Sequence, residues 1–69
     1  MEEIIFLVEE SNDGGYIAKA LGASIVTEAD NYDDLRLMVK DAVNCHYDDT
    51  VAKPKLIRLH FVKDEVFAA

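Results

Sequence analysis

The sequence predicts a small α+β domain with the element order β-β-β-α-β, in which four strands form one mixed sheet and a single helix covers one of its faces. Two observations support this fold class. Several strand-like segments carry apolar residues on both faces, and only one segment has apolar residues at helical spacing. The 69 residues allow one domain, residues 1–69. Because one helix covers only one face, we expect the other face to lie against another chain.

The segment 3–10 has the pattern of a central strand. Its two faces carry separate apolar sets, with Ile4, Phe6 and Val8 on one face and Ile5 and Leu7 on the other. A strand that is apolar on both faces is typical of a sheet that is covered on both sides. We therefore predict that this strand lies in the middle of the sheet.

Two hairpins follow the first strand. The turn 11–15 contains Asn, Asp and two Gly residues, which adopt the positive φ angles of tight turns. Strands are predicted at 16–21 and 24–27, separated by Gly22 and Ala23. Strands 1 to 3 therefore form an antiparallel meander.

A helix is predicted next, capped by Asp30 or Asn31, with Asp33 and Asp34 in its first turn, where acidic groups complement the helix dipole. One apolar stripe is predicted to pack on the sheet: Tyr32, Leu35, Met38, Val39, Ala42, Val43 and His46. The opposite face is polar and carries Asp33, Lys40, Asp41, Asn44 and Asp48, with Leu37 exposed among them.

The last strand is predicted at 56–62, after a loop over 50–54. Ile57, Leu59 and Phe61 give it a dry face, and Arg58 and His60 give it a polar, basic face. A right-handed crossover through the helix places this strand parallel to strand 1. The predicted sheet order is therefore 3-2-1-4.

The charge of the chain limits its partners. The net charge is −7, and residues 1–49 contain twelve acids and three bases. An acidic surface repels phosphate, so we expect no direct binding to nucleic acid, and it attracts basic partners. No apolar run is long enough to cross a membrane, and a single cysteine fits a reducing cytoplasm.

Small size and the absence of covalent staples favour self-association. A domain of this length buries only about 60% of the surface of its unfolded chain. The lone Cys45 excludes an intrachain disulfide, and no Cys/His cluster has zinc spacing. We therefore expect a homodimer or a higher homo-oligomer.

The sequence predicts no enzyme. Its carboxylate pairs are adjacent in sequence and diverge, the glycines at 14 and 15 lead into a strand, and Cys45 and His46 point about 100° apart on a helix. We accordingly assign no catalytic, cofactor-binding or metal-binding residue and expect no cofactor.

Several segments of the chain, most of them where one element leads into the next, resemble those of the HicB-like antitoxin family. The resemblance lies in the apolar strand 4–8, the hairpin Asp13-Gly14-Gly15-Tyr16, the segment Thr27-Glu28-Ala29-Asp30 and the helix start Tyr32-Asp33-Asp34-Leu35 running into 39–43. It covers residues 3–47 well and strand 4 more loosely.

The resemblance implies a reduced ribonuclease-H-like sheet and an antitoxin that occludes HicA, a small basic toxin that cleaves mRNA. Family members form dimers or larger assemblies, and many carry a C-terminal DNA-binding domain, for which residues 1–69 leave no room. The alternatives from the residues alone are a self-assembling structural protein without a toxin partner and, more remotely, a minimal enzyme or ligand-binding domain at a dimer cleft around His46, Tyr47 and His60.

Two surfaces are predicted to make contacts. The expected partner-binding residues are Asp33, Leu37, Asp41, Asp48 and Asp49. The expected oligomer interface consists of Ile5, Leu7, Arg58 and His60. The first set supplies acidic complementarity to a basic partner, and the second lies on the face of the sheet that the helix leaves open.

Overall fold

Four strands and one helix follow each other in the predicted order. The structure, a computed structural model, describes residues 2–47 and 53–69. Its elements are β1 (Glu3–Glu10), β2 (Tyr16–Ala20), β3 (Val26–Ala29), α1 (Tyr32–Tyr47) and β4 (Leu56–Val62). They form an α+β fold with one mixed sheet in the order β3-β2-β1-β4, which confirms the predicted fold class and strand order.

The central strand β1 pairs with a different kind of partner on each side. It is antiparallel to β2, where Phe6 lies opposite Ala20, and parallel to β4, where Phe6 lies opposite Leu59. Strand β3 pairs with β2 in antiparallel fashion. The two edges of the sheet are therefore β3 and β4.

The second hairpin differs from its predicted bounds. Strand β2 ends at Ala20 instead of residue 21, and β3 spans Val26–Ala29 instead of 24–27. The Ala20 N–H donates to the Ile25 carbonyl at 2.9 Å, and Gly22 has a φ of 85°, so the connecting turn takes up the residues in between. Ile25 is buried although it precedes the strand.

Asn31 is the residue that caps the helix. Its Oδ1 accepts a hydrogen bond from the Asp34 N–H at 2.8 Å, and its Nδ2 donates to the Asp34 carboxylate at 3.1 Å. The Leu35 N–H donates to the Asn31 carbonyl at 3.0 Å and begins the helical ladder. Of the two predicted caps, Asp30 and Asn31, the structure therefore selects the second.

The core lies between the helix and one face of the sheet. It consists of Ile4, Phe6, Val8, Ala18, Ile25, Leu35, Val39 and Val43. The alternate residues of β1, Ile5 and Leu7, are only half-buried, as their period-two spacing predicts. One apolar face is thus covered by the chain itself.

The predicted apolar stripe of the helix is only partly buried. Tyr32 is 43% exposed, Met38 is 47% exposed, and His46 is also exposed, so these three residues do not belong to the core. The helix packs mainly against β3 and β2, toward one edge of the sheet. Helical spacing predicts which residues share one side of the helix. The lateral position of the helix on the sheet determines how many of those residues are buried.

The same displacement leaves β4 incompletely covered. The face of β4 predicted to be buried is largely exposed to solvent, because Ile57 and Phe61 are exposed and Leu59 is half-buried. Phe61 nevertheless contacts Tyr32 at a ring-centroid distance of 5.8 Å and Tyr16 at 6.2 Å. A groove therefore runs between the helix and β4, closed at one end by aromatic rings.

Candidate interaction surfaces

The face of the sheet that lies away from the helix carries a patch of half-buried and exposed apolar residues, which we call the open sheet face. Leu7 lies between Lys19 on β2 and His60 on β4 in the strand register, and Ile5 lies beside Arg58. The structure thus brings together all four residues of the expected oligomer interface. The patch continues across the neighbouring strands through Ile17 and Val26.

One charged pair crosses the open sheet face at the end where β1 begins. The Arg58 guanidinium donates a hydrogen bond to the Glu3 carboxylate at 3.0 Å. This contact raises the pKa of Arg58, so the arginine stays charged at any accessible pH. The pair supports the parallel register of β1 and β4, with the small energy typical of exposed ion pairs.

His60 lies on a different side of the sheet from the other two residues of the remote enzyme alternative. The rings of His46 and Tyr47 contact each other at 4.9 Å at the end of α1, which covers the opposite face. Within one chain these three residues therefore form no cleft.

A second surface, the acidic groove, lies between the start of α1, the edge strand β3 and the turn after β1. It has a volume of about 450 Å³. Its lining residues are Ser11, Asp13, Gly15, Tyr16, Glu28, Ala29, Asp30, Asp34, Leu37 and Met38. Four of these residues are acidic and none is basic.

The topology explains why acidic groups converge there. In an antiparallel meander, the turn after β1 and the end of β3 lie at the same end of the sheet, and α1 begins beside them. The turn contributes Asp13, the joint between β3 and α1 contributes Asp30, and the first helical turn contributes Asp34. Asp13 is favoured locally as a turn residue, and Asp34 is favoured as an acid in the first helical turn.

The charge of the turn is fixed by hydrogen bonds. The Ser11 hydroxyl and the Gly15 N–H, the latter at 3.2 Å, both donate to the Asp13 carboxylate. The hydrogen bond from Ser11, with that from Gly15, lowers the pKa of Asp13 below its ordinary value. The acidic groove therefore keeps this negative charge well below neutral pH.

Of the expected partner-binding residues that the structure describes, only Leu37 lines this groove. Asp33, Leu37 and Asp41 recur every four residues and are all exposed, so they form one line along the helix. Leu37, which is 62% exposed, borders the acidic groove, whereas Asp48 and Asp49 lie outside the described residues. Sequence reasoning missed the convergence of Asp13, Glu28, Asp30 and Asp34, although the predicted meander contained the signal.

A third surface, the basic groove, lies on the other flank of the helix, between α1 and β4. It has a volume of about 870 Å³. Its lining residues are Tyr32, Asp33, Arg36, Leu37, Val39, Lys40, Lys55, Leu56, Ile57, Leu59 and Phe61. Three of the seven bases of the chain lie here beside a single acid, so the two flanks of one helix differ in charge.

Two kinds of site are absent from the described part of the chain. Within residues 2–47 and 53–69, no group of three or more His, Cys, Asp or Glu side chains is arranged to hold a metal ion. No helix within these ranges has the length and apolarity that a bilayer span requires.

The fold and surfaces define a small α+β domain with one open sheet face and two oppositely charged grooves. The chain is 46% identical to a UPF0150 protein of Thermotoga maritima over 67 residues, which are 97% of this chain and 93% of the relative. It is 52% identical to a UPF0150 protein of Archaeoglobus fulgidus over 56 residues, 81% and 82% of the two chains. The chain belongs to the UPF0150 family. No family model and no solved structure matches it significantly.

Proposed function

We propose that this chain is a non-enzymatic binding module that sequesters a small basic protein, namely an mRNA-cleaving toxin of the kind that HicB-like antitoxins occlude. The observation that carries the proposal is the acidic groove, in which four carboxylates surround exposed apolar side chains. A toxin that binds RNA needs a basic surface, and an acidic surface competes with RNA for it.

The acidic groove combines the two features of a protein-binding surface. Leu37 and Met38, 62% and 47% exposed, offer apolar area in its lining. The surrounding carboxylates speed the encounter with a basic partner and set its orientation, and the apolar contacts slow dissociation. Asp41 extends the same negative field along the exposed side of the helix.

The hydrogen-bonded acids of the groove are held in place before a partner arrives. Asp13 is tied to its own turn and Asp34 to the helix cap. Preorganised charges lose less conformational entropy on binding than free side chains do. This arrangement favours a binding role for the surface over a purely solubilising one.

The proposal is tested by capturing the partner and assaying it. The tagged chain is incubated with lysate of its source cells at low salt, and a small basic protein that co-elutes is purified and incubated with RNA. We expect RNA cleavage that the added chain suppresses. Recovery of the chain alone, with the partner's gene expressed, would contradict the proposal.

A charge-reversal pair locates the binding surface. Asp34→Lys in the acidic groove is expected to slow association with the captured protein at least tenfold. Glu2→Lys makes the same change of charge just before β1, at the opposite end of the sheet, where the exposed Glu2 side chain forms a 3.9 Å pair with Lys55. Equal effects of both variants would mean that net charge, and not the groove, governs binding.

The second candidate function is self-assembly without a toxin partner, and it is favoured by the open sheet face. Ile5, Leu7 and Ile17 are half-buried and Val26 is exposed, in a chain whose small size leaves it marginally stable alone. A second copy packed there would cover this apolar surface. This candidate predicts a homo-oligomer whose only constituent is the chain itself.

A further inference from the structure

The segment that follows β4, residues 63–69, extends away from the domain. All seven of its residues are exposed, including Val66 at 95% and Phe67 at 82%. The molecule measures 51 Å along its longest axis and 19 and 17 Å across, and its radius of gyration of 13.4 Å exceeds the roughly 11 Å of a compact chain of this length. Two adjacent apolar side chains are thus held in water.

We infer that the segment 63–69 of one copy binds in the basic groove of a second copy, and that the exchange is reciprocal. The groove offers the exposed Ile57 and the half-buried Leu59 along its length and the exposed Phe61 at its end. The segment offers the exposed Val66 and Phe67. Mutual burial removes apolar surface of both partners from water.

Charge complementarity identifies the segment as the occupant. Val66 and Phe67 directly follow Asp64 and Glu65, whereas Arg36, Lys40 and Lys55 border the groove. Within the described residues, Arg36 and Lys40 have no ion-pair partner, and Lys55 has only the exposed contact with Glu2. Although the chain has a net charge of −7, this groove is a basic surface, and it attracts an apolar segment in which two acids outnumber the single base Lys63.

The dimensions agree with this assignment. The groove follows β4 from Lys55 to Phe61, roughly 20 Å at the rise of a strand. Seven extended residues span roughly 23 Å. The segment is therefore long enough to lie along the whole groove beside the exposed edge of β4, which offers free backbone groups for pairing.

The segment does not reach the groove of its own copy. To do so, the chain would have to reverse direction directly after Val62, but residues 63–69 contain neither glycine nor proline and form no turn. None of these residues lines the groove. Reciprocal exchange between two copies satisfies both grooves in one closed dimer. The acidic groove stays free, so the inference is independent of the proposed function.

Sedimentation of the purified full chain tests whether the segment holds the dimer together. The chain is expected to dimerise, and Phe67→Ser to weaken dimerisation at least tenfold while leaving the fold intact, because Phe67 is exposed in the single copy. The control Met38→Gln, outside the basic groove, is expected to dimerise normally. A wild type that stays monomeric up to its solubility limit, or a Phe67→Ser variant that dimerises like wild type, would overturn the inference.

Charge exchange tests the pairing itself. Arg36→Glu with Lys40→Glu reverses the groove, and Asp64→Lys with Glu65→Lys reverses the segment. Each double variant is expected to dimerise at least tenfold more weakly, and all four changes in one chain are expected to restore dimerisation. Losses that add in the combined chain would overturn the inference. Asp34→Lys is expected to leave dimerisation unchanged, which separates this result from failure of the proposed function.

A spin label distinguishes exchange from folding back. The label is attached through Ala69→Cys in a Cys45→Ser background, since Cys45 is exposed. Labelled chains are mixed with isotope-labelled chains that lack the spin label, and broadening of the Val39, Ile57 and Leu59 amides is expected in the latter. No broadening in this mixture, with broadening of the same amides in a chain that carries both labels and is diluted with unlabelled chains, would show that the segment folds back on its own chain and would overturn the inference.

Discussion

The rings of Tyr32 and Phe61 lie 5.8 Å apart, tilted by 38°, and join the first turn of the helix to the last strand. Tyr16 meets the same Phe61 edge-on at 6.2 Å. The helix otherwise packs mainly on β2 and β3. This aromatic cluster therefore fixes the angle of the helix relative to β4 and closes one end of the basic groove.

Phe61→Ala is expected to lower the free energy of unfolding by about 1–3 kcal/mol. Truncation of a fully buried Phe costs about 3–5 kcal/mol, and Phe61 is 47% exposed. Urea denaturation followed by circular dichroism at low protein concentration measures the change. Phe67→Ala removes the same side chain from an 82% exposed position and is expected to change stability by less than about 0.5 kcal/mol. Equal losses would contradict the role of the cluster.

Gly15→Ala is expected to destabilise the sheet by about 1–3 kcal/mol, because the new methyl group overpacks a tight site. A Cβ at Gly15 would lie 2.8 Å from the Ala29 backbone carbonyl oxygen, so β2 and β3 would have to separate. Gly14→Asn is the control: Gly14 has a φ of +90° and open space around it, and asparagine tolerates positive φ. Thermal unfolding compares the two variants, and a larger loss for Gly14→Asn would refute the argument.

Asn31→Ala is expected to lower the free energy of unfolding by about 1 kcal/mol, because the Asp34 N–H loses the cap that accepts its hydrogen bond at 2.8 Å. Asn44→Ala, on the exposed face of the same helix, is expected to be neutral or slightly stabilising because alanine has the higher helix propensity. Chemical denaturation measures the free energy of unfolding of both variants. Similar losses in both would show that the Asn31 cap contributes nothing specific.

Ser11→Ala is expected to raise the pKa of Asp13 toward its ordinary value of 3.8, because the hydroxyl hydrogen bond is the largest cause of its lowering. The pKa of Asp13 is lower in the folded chain than in the unfolded chain. The hydrogen bonds to its carboxylate therefore stabilise the fold above about pH 3.8, and this contribution is lost as the pH falls through the folded-state pKa. Carboxyl-carbon NMR titration measures the shift. The exposed Ser24→Ala serves as control, and an unchanged Asp13 titration in Ser11→Ala would sink the prediction.

Leu7→Asp is expected to yield a chain that no longer self-associates through the open sheet face, because a carboxylate would replace a half-buried leucine between Lys19 and His60. Light scattering measures the mass, and circular dichroism shows whether the chain stays folded. Met38→Asp, on the opposite side of the molecule, is expected to leave this association unchanged. The comparison is made in the Phe67→Ser background, where contacts of the segment 63–69 are weakened, and self-association that folded Leu7→Asp leaves unchanged there would exclude this face as an interface.

Local patterns predict β1 and β4 well. Alternation within 3–10 and 56–62 gives both strands with the bounds that the structure shows, and the side-chain chemistry narrows the helix cap to two residues. These features depend on neighbours in sequence. The turn 21–25 is different, because a hydrogen bond from Ala20 to Ile25 shifts β3 by two residues, and no composition signal indicates that bond.

The lateral position of the helix is the feature that periodicity does not determine. Tyr32 and Met38 have the spacing of core residues, yet the helix lies toward β3 and leaves both exposed. The charge difference between its two flanks follows from that position. The open sheet face was predictable because strand period and register alone place Ile5, Leu7, Arg58 and His60 together.

The parallel pairing of β1 with β4 also orders the events of folding. Glu3 pairs with Leu56, 53 positions later in the chain, so the central strand is synthesised long before one of its two neighbours exists. On the ribosome, the meander and helix can form first, while the edge of β1 that pairs with β4 still lacks its hydrogen-bonding partner. Contacts between residues that are far apart in sequence slow folding and prolong the exposure of aggregation-prone strand edges. In the cell, the vulnerable period of this small protein is therefore expected to end only when residues 56–62 leave the exit tunnel.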